Sequence, residues 1–128
     1  MNLSIIQNTV LFDLDEFKHY PREVLEHAFL LSLFGTFSES SNRLLSQVRI
    51  TIEQHDLEQF KNHMHALKGI AGNVKAKRLE EIANQGMLQG TETFKHKEET
   101  QAILDTLEKC IIETNQALLD YLKKSIKE

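Results

Sequence analysis

A single proline, Pro21, stands in the whole 128-residue chain. Proline stops a helix because it lacks an N–H and its ring clashes with the preceding turn. Beyond Pro21 no residue of that kind interrupts the chain, and the molecule holds only five glycines in all. Apolar residues recur there at three- and four-residue steps, so long helices are expected rather than strands. The clearest run is Phe60, Met64, Leu67, Ala71 and Val74, whose steps of 4, 3, 4 and 3 make a bundle seam.

The remaining punctuation divides the chain. Asp13 to Tyr20 reads as a short helix with Asp13 or Asp15 as its N-cap, and Pro21 suits the first turn of the next helix. That helix is expected from Arg22 to about Gln54. Its apolar positions are Val24, Leu25, Ala28, Phe29, Leu31, Phe34, Leu44, Leu45, Val48 and Ile52. The Gly-, Ser- and Thr-rich stretch from Gly35 to Asn42 predicts a kink or short break within it. His55-Asp56 reads as a turn, with Asp56 capping a third helix that runs to about Asn73. A fourth helix is expected from about Ala76 to Leu88, with Leu79, Ile82, Ala83 and Met87 inward and Gly90-Thr91 closing it. The last is expected from Thr93 to about Ser125, with Ile103, Leu107, Cys110, Ile111, Leu118, Tyr121 and Leu122 as its stripe. The expected fold is all-α: an up-down four-helix bundle with a short additional N-terminal helix, one domain over residues 1–128.

Composition narrows the class. Hydrophobic residues at 41% and charged residues at 27% suit an ordinary globular core. A net charge of −4 lacks the basic footprint of a general nucleic-acid binder. The lone Cys110 has no partner for an internal disulfide and falls in an apolar stripe, which fits a core residue in a reducing compartment. No apolar run is long enough to span a membrane, and Met1 to Phe12 has neither the basic start nor the apolar centre of a secretory signal. These features point to the cytoplasm, or to a cytoplasmic piece of a larger protein.

The third helix carries a second face that packing does not need. Residues three or four apart share a helical face, and the series from Lys61 gives His65, Lys68, Gly69 and Gly72. It runs beside the seam, so His65 is expected to be exposed, flanked by the two lysines. Each glycine costs a helix roughly 1 kcal/mol relative to alanine. Bare backbone one turn beyond an imidazole lets a partner approach closely. An imidazole nitrogen can attack phosphorus, and an ammonium can stabilise charge on phosphoryl oxygens. The plainer account is a surface histidine with glycines that mark close packing or the end of a helix near Asn73.

The segment Met64-His65-Ala66-Leu67-Lys68-Gly69-Ile70-Ala71-Gly72-Asn73-Val74 resembles the signature of histidine-containing phosphotransfer (HPt) domains. These are intermediates of multistep two-component signalling, and the helical layout is similar over most of the chain. The resemblance implies that His65 is the phosphoacceptor and that Lys68 neutralises phosphate charge. It implies that Gly69 makes room for a docking receiver, and that Gly72 and Asn73 shape the end of the helix, with Lys61 on the same docking face. Family members often place a glutamine on the next helix near the histidine. Gln85 is the nearest candidate, with Asn84 beside it. Many members carry glycine where this chain has Lys75, which questions the local turn. The implied protein is a phosphocarrier without its own ATP site, and the chain has no phosphate-binding glycine loop. It needs no intrinsic cofactor, Mg²⁺ being supplied by the partner receiver. Its implied partners are a response-regulator receiver domain and a hybrid sensor histidine kinase, and it is expected to be a monomer. The basic run Lys75, Lys77 and Arg78 can steer an acidic receiver surface.

Other readings compete. A non-catalytic module that binds a receiver without phosphotransfer would share this layout. A di-iron bundle needs two Glu-x-x-His motifs, and only Glu16-x-x-His19 occurs. The phosphoacceptor region of a histidine kinase typically has an acidic residue after the histidine, whereas Ala66 follows here.

Overall fold

A computed structural model describes Leu11 and residues 27–127. The helix expected over Asp13 to Tyr20, and Pro21, lie outside the described residues. Four helices follow: α1, His27–Glu53; α2, Leu57–Asn73; α3, Lys77–Thr93; and α4, Lys97–Lys127. No strand occurs among the described residues.

Each helix packs on its neighbours in the chain, and α1 also packs on α4, which closes the ring. Among the described residues, no Cα atoms of the diagonal helices come within 8 Å of one another. Three-residue links at 54–56, 74–76 and 94–96 turn the chain back each time, as antiparallel neighbours require. The α2 seam is the centre of the core: Phe60, Met64, Leu67, Ala71 and Val74 are fully buried. Leu79, Ile82 and Ala83 of α3 meet them, with Ile103, Leu107, Cys110, Ile111, Leu118 and Leu122 from α4. Phe60 also packs against Phe94, with ring centroids 4.8 Å apart.

The links are built alike. The Asp56 N–H reaches the Thr51 carbonyl at 2.9 Å, and the Ala76 N–H reaches the Ala71 carbonyl at 2.9 Å. These six-residue closures place a left-handed residue at the helix end. His55 and Lys75 hold those positions, at φ 54° and 56°. Lys75 therefore adopts the left-handed conformation that glycine takes freely. Asp56 caps α2 as expected, its carboxylate accepting from the Gln59 N–H at 3.1 Å.

Three expectations are corrected. The helix α1 runs unbroken through Gly35 to Asn42. Its polar residues bond back to the helix, with Ser41 Oγ and Asn42 Nδ2 both donating to the Ser38 carbonyl, at 3.1 and 2.9 Å. At its start Phe29 and Leu31 face outward, whereas Leu30, Phe34 and Phe37 are buried. Gly90-Thr91 does not end α3, which continues to Thr93, and α4 begins only at Lys97. Gly90 is a buried helical residue against which Leu57 and Phe60 of α2 pack.

Candidate functional site

His65 is the central residue of α2 and is exposed. Its position has an electrostatic consequence. The N–H groups available to an anion lie in the first turn of a helix, and the helix-end field fades within that turn. Charge arriving at His65 must therefore be met by side chains and by whatever docks there.

The exposed strip around it is small. Asn62, His65, Ala66, Gly69 and Asn73 face outward. Nothing else in the described chain lies within 4 Å of where a Gly69 Cβ would stand. Packing thus does not require glycine there, and the surface one turn beyond the imidazole is open. Gly72 is half-buried, and a Cβ on it would meet only Glu80 Oε2, at 3.7 Å.

The lysines flank His65 on the side toward α3. Lys61 Nζ donates to Thr91 Oγ1 at 2.9 Å, and Lys68 Nζ donates to Asn84 Oδ1 at 3.1 Å. With the Gly72–Glu80 approach, these contacts fix the register between the two antiparallel helices. Residues 61, 68 and 72 run against 91, 84 and 80. Half-buried Met87 shares the α3 strip with Asn84 and Thr91 and falls at the level of His65.

Gln85 lies on the next strip around α3. Its Nε2 donates to Glu81 at 3.1 Å and its Oε1 accepts from Gln89 at 3.0 Å, so it is tied along its own helix. Asn84, not Gln85, is the α3 side chain bound to Lys68. His63 is half-buried and lies two residues from His65, on a diverging direction. In the basic run, Arg78 turns to α4 and pairs with Glu113 at 3.2 Å.

The sequence periodicity missed what brings α2 and α3 together. A Cβ on Gly86 would stand 3.0 Å from Met64 Sδ, and one on Gly90 would stand 3.3 Å from Leu57 and Phe60. The spacing Gly86-x-x-x-Gly90 was the available signal, since two glycines one turn apart clear one strip of a helix. Among the described residues no grouping of His, Cys, Asp and Glu is able to hold a metal ion. Glu16 and His19 lie outside them.

The Hpt domain family profile matches residues 32–117. The chain belongs to the Hpt domain family. The match spans all of α2 and α3, with His65 and both lysines inside it. Neither curated proteins nor solved structures give a match. Hpt domains serve histidine phosphotransfer in phosphorelays, engage receiver domains and kinases, and in general have no kinase activity of their own. No helix among the described residues is long and apolar enough to cross a membrane.

Proposed function

We propose that this Hpt domain carries a phosphoryl group on His65, taking it from one receiver aspartate and passing it to another. The observation that carries the proposal is the exposed imidazole at the centre of α2, beside Lys68 and the open surface at Gly69. An unprotonated ring nitrogen attacks the phosphorus of the aspartyl phosphate. A nitrogen–phosphorus bond forms as the phosphorus–oxygen bond breaks, and the electron pair leaves with the carboxylate. The other ring nitrogen keeps its proton. The reverse step returns the phosphoryl group to a second aspartate.

Lys68 supplies positive charge to the phosphoryl oxygens, which the middle of a helix cannot do with its backbone. Gly69, Gly72 and Asn73 form the approach surface for the receiver, and Lys61 borders it. The partner receiver would hold the Mg²⁺, which would supply further positive charge to the phosphoryl group. The domain acts in the cytoplasm, as a monomer.

The test is phosphotransfer from a labelled receiver domain to the purified protein, with His65→Gln alongside. Acid-labile, alkali-stable label on the wild type and none on the variant is the expected result. Equal labelling of both would overturn the assignment of His65.

A further inference from the structure

The proposed function needs an ammonium in the right place, and a lysine is poorly suited to staying there. Its side chain has four rotatable carbons and a strongly hydrated tip, so it loses much rotamer freedom when held. Lys68 is nevertheless held. Its ammonium spans from α2 to α3 and donates to Asn84 Oδ1 at 3.1 Å, with both residues half-buried. An ammonium only donates, so it is the amide oxygen of Asn84 that faces it.

Resting on the proposed function, we infer that Asn84 is a positioning residue for phosphotransfer: it holds the Lys68 ammonium beside His65 until a phosphoryl group arrives. The chemistry of the holder matters. Asn84 offers a neutral oxygen, which restrains the ammonium without neutralising it. An ammonium is drawn more strongly to a charged oxygen than to a neutral amide oxygen, because two opposite full charges add a Coulomb attraction to the hydrogen bond. A phosphoryl oxyanion at His65 therefore draws Lys68 away from Asn84. An aspartate at this position would form an ion pair and retain it.

The position of Asn84 follows from the packing of α2 on α3. Gly86 and Gly90 bring the two helices close, and Lys61–Thr91 on one side of His65 fixes the same register as Lys68–Asn84 on the other. Residue 84 lies on the α3 strip that borders α2. Residue 85 is one position farther around and is bonded to Glu81 and Gln89 instead.

The test compares wild type, Asn84→Ala, Lys68→Ala, the double variant and Asn84→Asp in single-turnover transfer from a phosphorylated receiver. Receiver affinity is measured alongside. Losing the restraint on one long side chain slows Asn84→Ala by roughly twofold to tenfold, with affinity unchanged. Lys68→Ala is slower still, and the double variant is no slower than Lys68→Ala. Such non-additivity marks a residue acting through its neighbour, and a merely structural role would not produce it. Asn84→Asp, with the ammonium locked in an ion pair, is slower than Asn84→Ala. An amine-modifying reagent followed by mass spectrometry reads the hydrogen bond without any transfer, and Lys68 reacts faster in Asn84→Ala than in wild type.

Wild-type transfer rates in Asn84→Ala would overturn the inference, as would equal slowing by Asn84→Ala in the presence and absence of Lys68. A wild type that takes no label at all contradicts the proposed function, and this inference falls with it. That outcome is distinct from normal wild-type transfer that ignores Asn84.

Discussion

At the scale of single residues, the five glycines do different work. At Gly86 and Gly90 a Cβ would crowd Met64, Leu57 and Phe60, whereas Gly69 meets nothing within 4 Å and sits exposed in mid-helix. A fold under no other demand would gain from alanine there. Gly69→Ala is expected to raise stability by about 1 kcal/mol in urea unfolding, through helix propensity and a less flexible unfolded chain. An unchanged or lower stability would mean that the backbone at Gly69 is under a constraint the packing does not reveal. Lys75 presents the opposite case, a side chain where glycine is favoured. The left-handed conformation costs a residue with a Cβ roughly 1–2 kcal/mol, so Lys75→Gly is expected to be stabilising despite the entropy glycine adds to the unfolded chain. Cys110 is a titrating group that its surroundings clearly move. Burial pushes its thiol up from 9.0 to about 11, against the opposing pull of its contact with Thr114. The folded state holds this proton after the unfolded chain has lost it. The resulting stability is full below pH 9.0 and is lost as pH rises to about 11. Denaturation midpoints in that window should fall less for Cys110→Ala than for the wild type.

At the scale of elements, the α2–α3 pair is the part that serves the site. Its seam was legible because Phe60, Met64, Leu67 and Ala71, the buried residues, recur at steps of 4, 3 and 4 in a helix that is otherwise mostly polar. The Asp56 cap was legible for a similar reason, since a capping side chain acts within its own turn. Gly90 was misread as a terminator because glycine carries no apolar periodicity, and only the partner helix reveals whether a gap is filled. The inward positions at the start of α1 were obscured because Phe29 to Leu33 is interrupted by Ser32 alone, so no single face stands out. The Lys68–Asn84 hydrogen bond was invisible to local spacing, because it depends on the register between two helices. That register makes a prediction. Gly86→Val places branched bulk against Met64 Sδ, 3.0 Å from the new Cβ, and is expected to destabilise the fold by about 1–3 kcal/mol. An equilibrium unfolding series checks it, and a neutral result would show that Met64 has another place to go.

Over the whole molecule, the interhelical ion pairs and the site lie on different parts of the ring, whereas the buried seam runs beneath the site itself. The α2–α3 edge presents His65 and its lysines, while α4 is fastened to its neighbours by Arg49–Glu108 at 2.8 Å and Arg78–Glu113 at 3.2 Å. Both pairs are partly exposed, and such pairs contribute at most about 1 kcal/mol. The buried seam contributes far more. Arg49→Ala should therefore cost under about 1 kcal/mol, whereas Phe60→Ala should cost about 3–5 kcal/mol. Comparable losses would place the stability of the bundle in its surface charges. Phe60 and Met64 of that seam, on the same helix as His65, are fully buried.

The central claim is that one imidazole among six histidines accepts the phosphoryl group. Nitrogen-detected imidazole spectra, recorded before and after incubation with a phosphorylated receiver domain, test it without altering the protein. The account predicts that the His65 ring acquires a nitrogen–phosphorus coupling and that the other five rings do not. A coupling on any other histidine, or none while the receiver still binds, would contradict it.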